Sequence, residues 1–288
     1  MKDKIVLITG ATSGIGFQTA LTLAKMGAQV IVTGRSQKSA QGAAVKLKAE
    51  SGNERVDFLL ADLSAQKNVH ALADQFKARF ERLDILINNA GLASSKYELT
   101  EDGIESDFAM NVVAPFLLTH LLMDSLKKSD SPRVITLMGG DVPAALDMDN
   151  LQSEKSFDGL NTYSQTKLAM MALMYEFSQR EKDVTINVCY PGQASTSMTR
   201  SVTPEMFPRA MRWIFPVYKF MTRDDGGKSA AKASRSSVYL ATSKEVEGMT
   251  GKYFDTNCKE AAWSPAVMND IVRQKLWEVV EKISRVDY

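Results

Sequence analysis

The stretch Thr9-Gly10-Ala11-Thr12-Ser13-Gly14-Ile15-Gly16 limits what this chain can fold into more than any other. It follows Ile5-Val6-Leu7-Ile8, an apolar run of the length of a buried parallel strand. It precedes Phe17 to Met26, where apolar residues recur at helical spacing and Gly27 marks a stop. Gly10 permits a tight turn, and Gly14 and Gly16 put no side chain between a diphosphate and the N–H groups that open the helix. Those groups and the helix dipole favour an anion. A glycine turn between strand and helix predicts a dinucleotide site using Gly10, Thr12, Ser13, Gly14, Ile15 and Gly16.

Strand and helix patterns then alternate. Strands are predicted at Gln29–Thr33, Val56–Leu60, Leu83–Ile87, Arg133–Leu137, Thr185–Val188 and Gly251–Phe254. Helices are predicted at Gln37–Glu50, Ala65–Phe80, Asn161–Arg180 and Gly226–Leu240, with another from Gly103 to Lys128 that breaks near Pro115. This order implies an α/β chain: a doubly wound parallel sheet of Rossmann type with helices on both faces. No repeat or Pro/Gly linker divides it, so residues 1–288 read as a single domain.

Bulk properties remove several function classes. A net charge of +1 gives no electrostatic case for nucleic acid. With only His70 and His120, a histidine metal site is not expected, and Cys189 and Cys258 form no metal or disulfide pattern. No signal peptide and no apolar run long enough to cross a bilayer are read, so the expected compartment is the cytoplasm, with no transmembrane segment.

Three further stretches fall at the carboxyl ends of the predicted strands, where a doubly wound sheet binds its ligand. After strand two stand Gly34 and Arg35, where an NAD site would carry an acid for the ribose hydroxyls. A guanidinium suits a ribose 2′-phosphate, so NADP(H) is preferred over NAD(H). After strand three, Asp62-Leu63 offers a carboxylate either to an adenine amino group or to the following helix as an N-cap. After strand four, Asn89-Ala90-Gly91 is small enough for a ring or ribose to approach.

Tyr163-Ser164-Gln165-Thr166-Lys167 opens the long helix, and its phenol and ammonium, four residues apart, share one face. A nearby ammonium favours phenolate and lowers the phenol's pKa. A phenol so tuned can exchange a proton with a carbonyl or alcohol oxygen while hydride moves to or from a nicotinamide.

The set formed by the glycine turn, Asn88-Asn89-Ala90-Gly91, Asn111, Tyr163 with Lys167, and Pro191-Gly192 resembles the short-chain dehydrogenase/reductase family over nearly the whole chain. Leu151-Gln152-Ser153-Glu154 and Gly251-Lys252-Tyr253-Phe254 are similar to its retinol-dehydrogenase-like branch. The resemblance implies NAD(P)(H), with Tyr163 as acid/base and Lys167 holding the nicotinamide ribose. Asn111 would anchor a water leading from Lys167 to solvent, and Pro191, Gly192, Ala194 and Thr196 would border the nicotinamide amide. It also implies a homodimer or a monomer.

One departure stands out. Where the family ends strand five in a serine that bonds the substrate oxygen, this chain reads Leu137-Met138-Gly139-Gly140-Asp141. The serine position falls on Gly139 or Met138, and neither has a hydroxyl. Losing one donor to a developing oxyanion typically costs ~10²–10³ in rate. Two readings follow: an oxidoreductase in which another group substitutes, or an NADP(H)-binding protein of the same fold without hydride transfer.

Between about 193 and 225 the alternation lapses into Met206, Phe207, Met211, Trp213, Ile214, Phe215, Tyr218, Phe220 and Met221, interleaved with Arg209, Arg212, Lys219 and Arg223. By resemblance this is a lid over the active site, and its composition suits a small apolar or aromatic substrate. The same residues could simply cover the sheet, or rest on a membrane surface, although Pro208 and Pro216 interrupt a continuous amphipathic helix.

Overall fold

A computed structural model describes residues 1–140, 142–207 and 209–286. In chain order, the first half runs β1 (Ile5–Ile8), α1 (Gly14–Lys25), β2 (Gln29–Gly34), α2 (Gln37–Ser51), β3 (Val56–Leu60), α3 (Gln66–Arg79) and β4 (Ile85–Asn88). A composite helix follows, made of α4 (Ser106–Phe108), a π turn (Ala109–Val113), α5 (Ala114–Leu121) and α6 (Met123–Lys127). Then come β5 (Arg133–Leu137), α7 (Gly159–Arg180), β6 (Thr185–Cys189), α8 (Ser197–Ser201), 3-10 turns at Pro204–Met206 and Arg209–Ile214, and α9 (Phe215–Met221). The chain closes with α10 (Lys228–Ala233), α11 (Arg235–Thr242), β7 (Tyr253–Phe254), β8 (Glu260–Ala261) and α12 (Asp270–Ser284).

The strands form one sheet in the order β3-β2-β1-β4-β5-β6-β7-β8, parallel except for β8. Side chains alternate across it. Val6 and Ile8 pack with Phe17, Leu23 and Leu47 on one face, while Leu7 packs with Phe76, Phe116 and Leu173 on the other. In register, Leu7 lies between Ile31 and Leu86. The strand order reverses between β1 and β4, so the loops after these two strands diverge and leave a crevice at their carboxyl ends.

The sequence reading differs from the structure in several places. The stretch Gly226–Leu240 is two helices, broken at Ser234. Gly251–Phe254 is not the last strand, because the two-residue β8 returns antiparallel to it. The helix from Gly103 begins at Ser106 and does not break at Pro115. It widens into a π turn just before that residue, so the missing proline N–H falls in the first turn of α5. Pro208 and Asp141 lie outside the described residues.

The C-terminal helix α12 has no counterpart in the sequence reading. It covers α5 and α7: Trp277 meets Phe116 and Phe177 edge-on, with ring centroids 5.0 and 4.7 Å apart. Arg273, itself buried, bonds Glu176 of α7 at 3.2 Å. Met170, Met171 and Met174 are therefore core residues within a single chain. Among the described residues, no helix is long and apolar enough to cross a membrane.

Candidate active site

The glycine turn is built by steric exclusion. Gly10 and Gly14 have φ of +64° and +59°, in the left-handed region. A Cβ on Gly10 would stand 2.9 Å from Ala90 Cα, and one on Gly16 would stand 2.4 Å from Asn89 Nδ2. Asn89 is what draws the turn in: its Nδ2 donates to Thr9 O at 2.7 Å, and Thr9 Oγ1 accepts from the N–H groups of Asn89 and Ala90. Thus Asn89 braces the turn, and Gly10 is small because Ala90 abuts it.

At the N-terminus of α1 the N-cap Ser13 makes no side-chain cap hydrogen bond to the first-turn N–H groups. This open helix end, with glycine on both sides, fits a phosphate. Across the crevice, Thr196 caps α8 in a capping box with Thr199, and its Cγ2 lies 3.2 Å from where a Gly14 Cβ would be. Ser13, Gly14, Gln18, Ser195, Thr196, Ser197 and Arg200 line a cavity of about 110 Å³ there. Gly192, at φ +80°, turns the chain after Pro191, and Ala194 O accepts from Thr199 Oγ1.

Arg35 is exposed at the end of β2 with no hydrogen bond among the described residues. Asp62 accepts from Ser64 N and Oγ at 3.2 and 2.8 Å, holding its own turn. It does not cap α3. That helix starts at Gln66, whose N–H donates to Asp102 from a distant loop. Leu63 is buried in the core cluster on the α3 side of the sheet.

Tyr163 and Lys167 are both buried at the start of α7. Lys167 Nζ lies 5.7 Å from the centre of the Tyr163 ring. A Cβ on Gly91 would stand 3.2 Å from Lys167 Nζ and 3.3 Å from Asn111 Oδ1, so Gly91 leaves the ammonium room beside the strand-four loop. Asn111 spends its side chain on structure. It accepts from Leu92 N, and donates to Leu92 O and to Thr166 Oγ1, tying the loop after β4 to α7.

Burial governs the pKa values here. The Lys167 ammonium is lowered to about 8 by desolvation, opposed by Asp107. The Tyr163 phenol is raised above its ordinary value, first by burial and then by the Asp107 charge. Burial therefore outweighs the lowering expected from a nearby ammonium.

The structure separates the two candidate positions for the missing serine. Met138 N bonds Cys189 O at 2.9 Å, extending β5, and its side chain is buried in the core. Gly139 faces the phenol: a Cβ there would be 2.4 Å from Tyr163 Oη. On Gly140, at φ +77°, it would be 2.9 Å from the ring's Cε1. The Tyr163 hydroxyl therefore occupies the space a side chain at 139 would need. Thr136, the nearest hydroxyl in sequence, is tied up with Asn88.

Sequence reasoning missed Asp107. This fully buried carboxylate accepts from Ser94 Oγ at 2.6 Å and Ser94 N at 3.1 Å, and its pKa is raised to about 6 by desolvation. Neighbouring Glu105, raised to about 7 for the same reason, accepts from the N–H groups of Asp107 and Phe108. The spacing of Asp107 four residues before Asn111 was a usable signal. Arg200, four residues after Thr196, was another; its guanidinium bonds Ser195 Oγ and lies 3.7 Å from Asp224.

The apolar residues of the segment 193–225 divide by direction. Met206 and Phe207 are buried with Val202, and Ile214, Phe215 and Tyr218 pack on them beside Ala93 and Leu160. Trp213, Val217, Phe220 and Met221 point outward.

Comparisons with known proteins agree with this architecture. A family model described as short chain dehydrogenase matches residues 4–206. Human retinol dehydrogenase 14 is 35% identical over 301 residues, covering 98% of this chain and 86% of that protein. Human polyprenol dehydrogenase is 34% identical over 286 residues, covering 96% and 83%. Among solved structures, an uncharacterized protein from Mycobacterium paratuberculosis superposes with a TM-score of 0.77 at 24% identity, covering 100% of this chain and 95% of that one. A short chain dehydrogenase from Shigella flexneri complexed with NADP gives 0.66 at 24% identity, covering 89% and 98%.

Proposed function

The chain belongs to the short-chain dehydrogenase family, in its retinol-dehydrogenase-like branch, and from that premise we propose that it is an NADP(H)-dependent oxidoreductase interconverting a carbonyl and an alcohol on an apolar molecule. The observation that carries this reading is the Tyr163 hydroxyl, set in the gap left by Gly139, with the Lys167 ammonium below the same ring. The cofactor, when bound, supplies or takes the hydride. The open N-terminus of α1 at Ser13 to Gly16 holds its diphosphate, and Arg35 its 2′-phosphate. Ala90 and Gly91 make room for the ribose and ring, Lys167 binds the ribose, and Pro191, Gly192, Ala194 and Thr196 border the amide.

Tyr163 moves the proton. Burial raises the pKa of its phenol; protonated, it donates to a carbonyl oxygen, and in the reverse direction the phenolate takes the proton from an alcohol. Lys167 then returns a proton towards the phenolate, with Asp107 keeping the ammonium charged. The apolar cluster of Met206, Phe207, Phe215 and Tyr218 excludes water and accepts an apolar chain or ring. Relatives named for retinol and polyprenol, both long apolar alcohols, support that substrate class.

The second reading, an NADP(H)-binding protein without hydride transfer, is favoured by one observation: position 139 is a glycine without a hydroxyl, and the Tyr163 hydroxyl fills the space a side chain there would need. A panel of apolar aldehydes separates the two. The oxidoreductase consumes NADPH with some member of it, and Tyr163→Phe abolishes this while leaving NADPH affinity within about twofold. NADPH binding with no consumption across the panel leaves the second reading; turnover intact in Tyr163→Phe refutes the assigned acid/base.

A further inference from the structure

Segment 209–223 is apolar on two sides, and the protein covers only one. Its inner side chains Ile214, Phe215 and Tyr218 pack on Phe207. Its outer ones are Trp213, 78% exposed, Val217 at 59%, Phe220 at 65% and Met221 at 63%. Positions 213, 217, 220 and 221 recur as one face of a helical path through the 3-10 turn and α9. A short helix apolar all round is ordinarily buried, and four large side chains together in water are an exposed patch that calls for a partner.

The charges around the patch say which partner. Arg209, Arg212, Lys219 and Arg223 lie within the segment, and Glu205 is the only acid between 204 and 223. Lys219 Nζ donates to Arg200 O at 2.8 Å and Arg212 Nε to Phe207 O at 3.4 Å, so the tips of both side chains are anchored to backbone carbonyls of the preceding segment. The Arg223 guanidinium stacks over the Phe220 ring at 4.5 Å. Asp224 and Asp225, which follow, have partners of their own: Asp224 accepts from Gly226 N and lies 3.7 Å from the Arg200 guanidinium, and Asp225 accepts from Gly227 N and Ser229 N. Exposed Trp, Phe and Met rimmed by Arg and Lys match a bilayer interface bearing anionic headgroups.

We propose that the outer face of 209–223 docks on an anionic bilayer surface, seating Trp213, Phe220 and Met221 at the headgroup boundary with Arg209 and Arg223 on lipid phosphates. The inner side of the same segment belongs to the apolar cluster over the site, so docking sets the substrate entrance against the bilayer. That last consequence rests on the apolar-substrate reading; the docking does not.

The test uses the full chain and vesicles of phosphatidylcholine with and without roughly one-third phosphatidylserine, with no cofactor or substrate present. Co-sedimentation with the anionic vesicles is expected, with a blue shift of fluorescence that disappears in Trp213→Phe; Trp277 is buried, and Trp263 packs between Tyr175 and Tyr253. The triple variant Trp213→Ser/Phe220→Ser/Met221→Ser should bind at least about tenfold more weakly. Arg209→Glu/Arg223→Glu should lose the preference for anionic over neutral vesicles. All these side chains are exposed, so melting temperatures stay near wild type and report any misfolding. Three results would overturn the proposal: no co-sedimentation, a Trp213 signal unmoved by vesicles, or a vesicle-free dimer that the triple variant abolishes. Because vesicle binding is read without turnover, a protein that binds vesicles yet reduces no aldehyde refutes the enzymatic reading alone, and the converse refutes only the docking.

Discussion

Restoring a serine at position 139 should damage this protein rather than repair it. In Gly139→Ser the new Cβ would stand 2.4 Å from Tyr163 Oη, and real Cβ atoms essentially never approach below 3.0 Å. The phenol must therefore retreat by roughly half an ångström or more, as in other overpacked sites. It has little room, because its ring edge already lies 2.9 Å from where a Gly140 Cβ would be and the residue is buried. Overpacking of this kind costs about 1–3 kcal/mol, or about 2–6 °C in melting temperature for a chain of this size. A misplacement approaching 1 Å in a reacting group can cost ~10²-fold in rate. The added hydroxyl could return ~10²–10³ only if it were aimed at the substrate oxygen, and here the displaced group is the proton donor itself. Gly139→Ala, which adds the clash without the donor, isolates the steric part. NADPH consumption with the best aldehyde, measured beside thermal melts, should show both variants melting lower and turning over at least about tenfold more slowly. If Gly139→Ser matched or exceeded wild-type turnover at an unchanged melting temperature, the claim that glycine is there to make room for the phenol would fail.

Other outcomes follow from the same geometry. Arg35→Ala should weaken NADPH by about 10- to 100-fold, the worth of a charge-assisted phosphate contact, and NADH by less than twofold; equal losses in titrations would remove the 2′-phosphate role. Lys167→Met should raise the melting temperature of the cofactor-free protein near neutral pH while abolishing turnover. Burial lowers the Lys167 pKa from 10.5 to about 8, so the folded state carries a cost of about 3 kcal/mol that is complete below pH 8. This cost is relieved as pH rises from 8 to 10.5, where the unfolded chain binds the extra proton, so the gap between wild type and variant should close across that window. A gap independent of pH would show that desolvation of the ammonium is not its source. Asp107→Asn keeps an acceptor for Ser94 but removes the charge that supports the ammonium. The alkaline limb of its pH–rate profile should move to lower pH, whereas a purely structural role would lower the rate without moving the limb.

Local pattern made much of this protein legible. A buried parallel strand is a short apolar run, and Ile5–Ile8 and Ile85–Asn88 announce themselves because both their faces are covered. The glycine turn was readable for the reason it exists: positive φ at Gly10 and Gly14 and the close approach of Asn89 to Gly16 admit no side chain. Tyr163 and Lys167 were paired by helical spacing alone. Other features depend on residues far apart in the chain. The sign of the Tyr163 shift is decided by burial and by Asp107, which reaches the site only once α4 and the loop after β4 are packed. That Gly139, not Met138, faces the phenol depends on the register of β5 against β6 and on where α7 lands. The strand β8 is too short to leave a periodic signal, and α12 finds its role in covering α5 and α7, a contact between segments about a hundred residues or more apart. Likewise the apolar residues between 206 and 221 carry no mark of direction in the sequence; which of them turn inward and which meet solvent is decided by the surface they fold against. Sequence sets what each segment can be, since that depends on neighbours along the chain. Tertiary structure decides what the groups feel, since desolvation, charge and steric room come from neighbours in space.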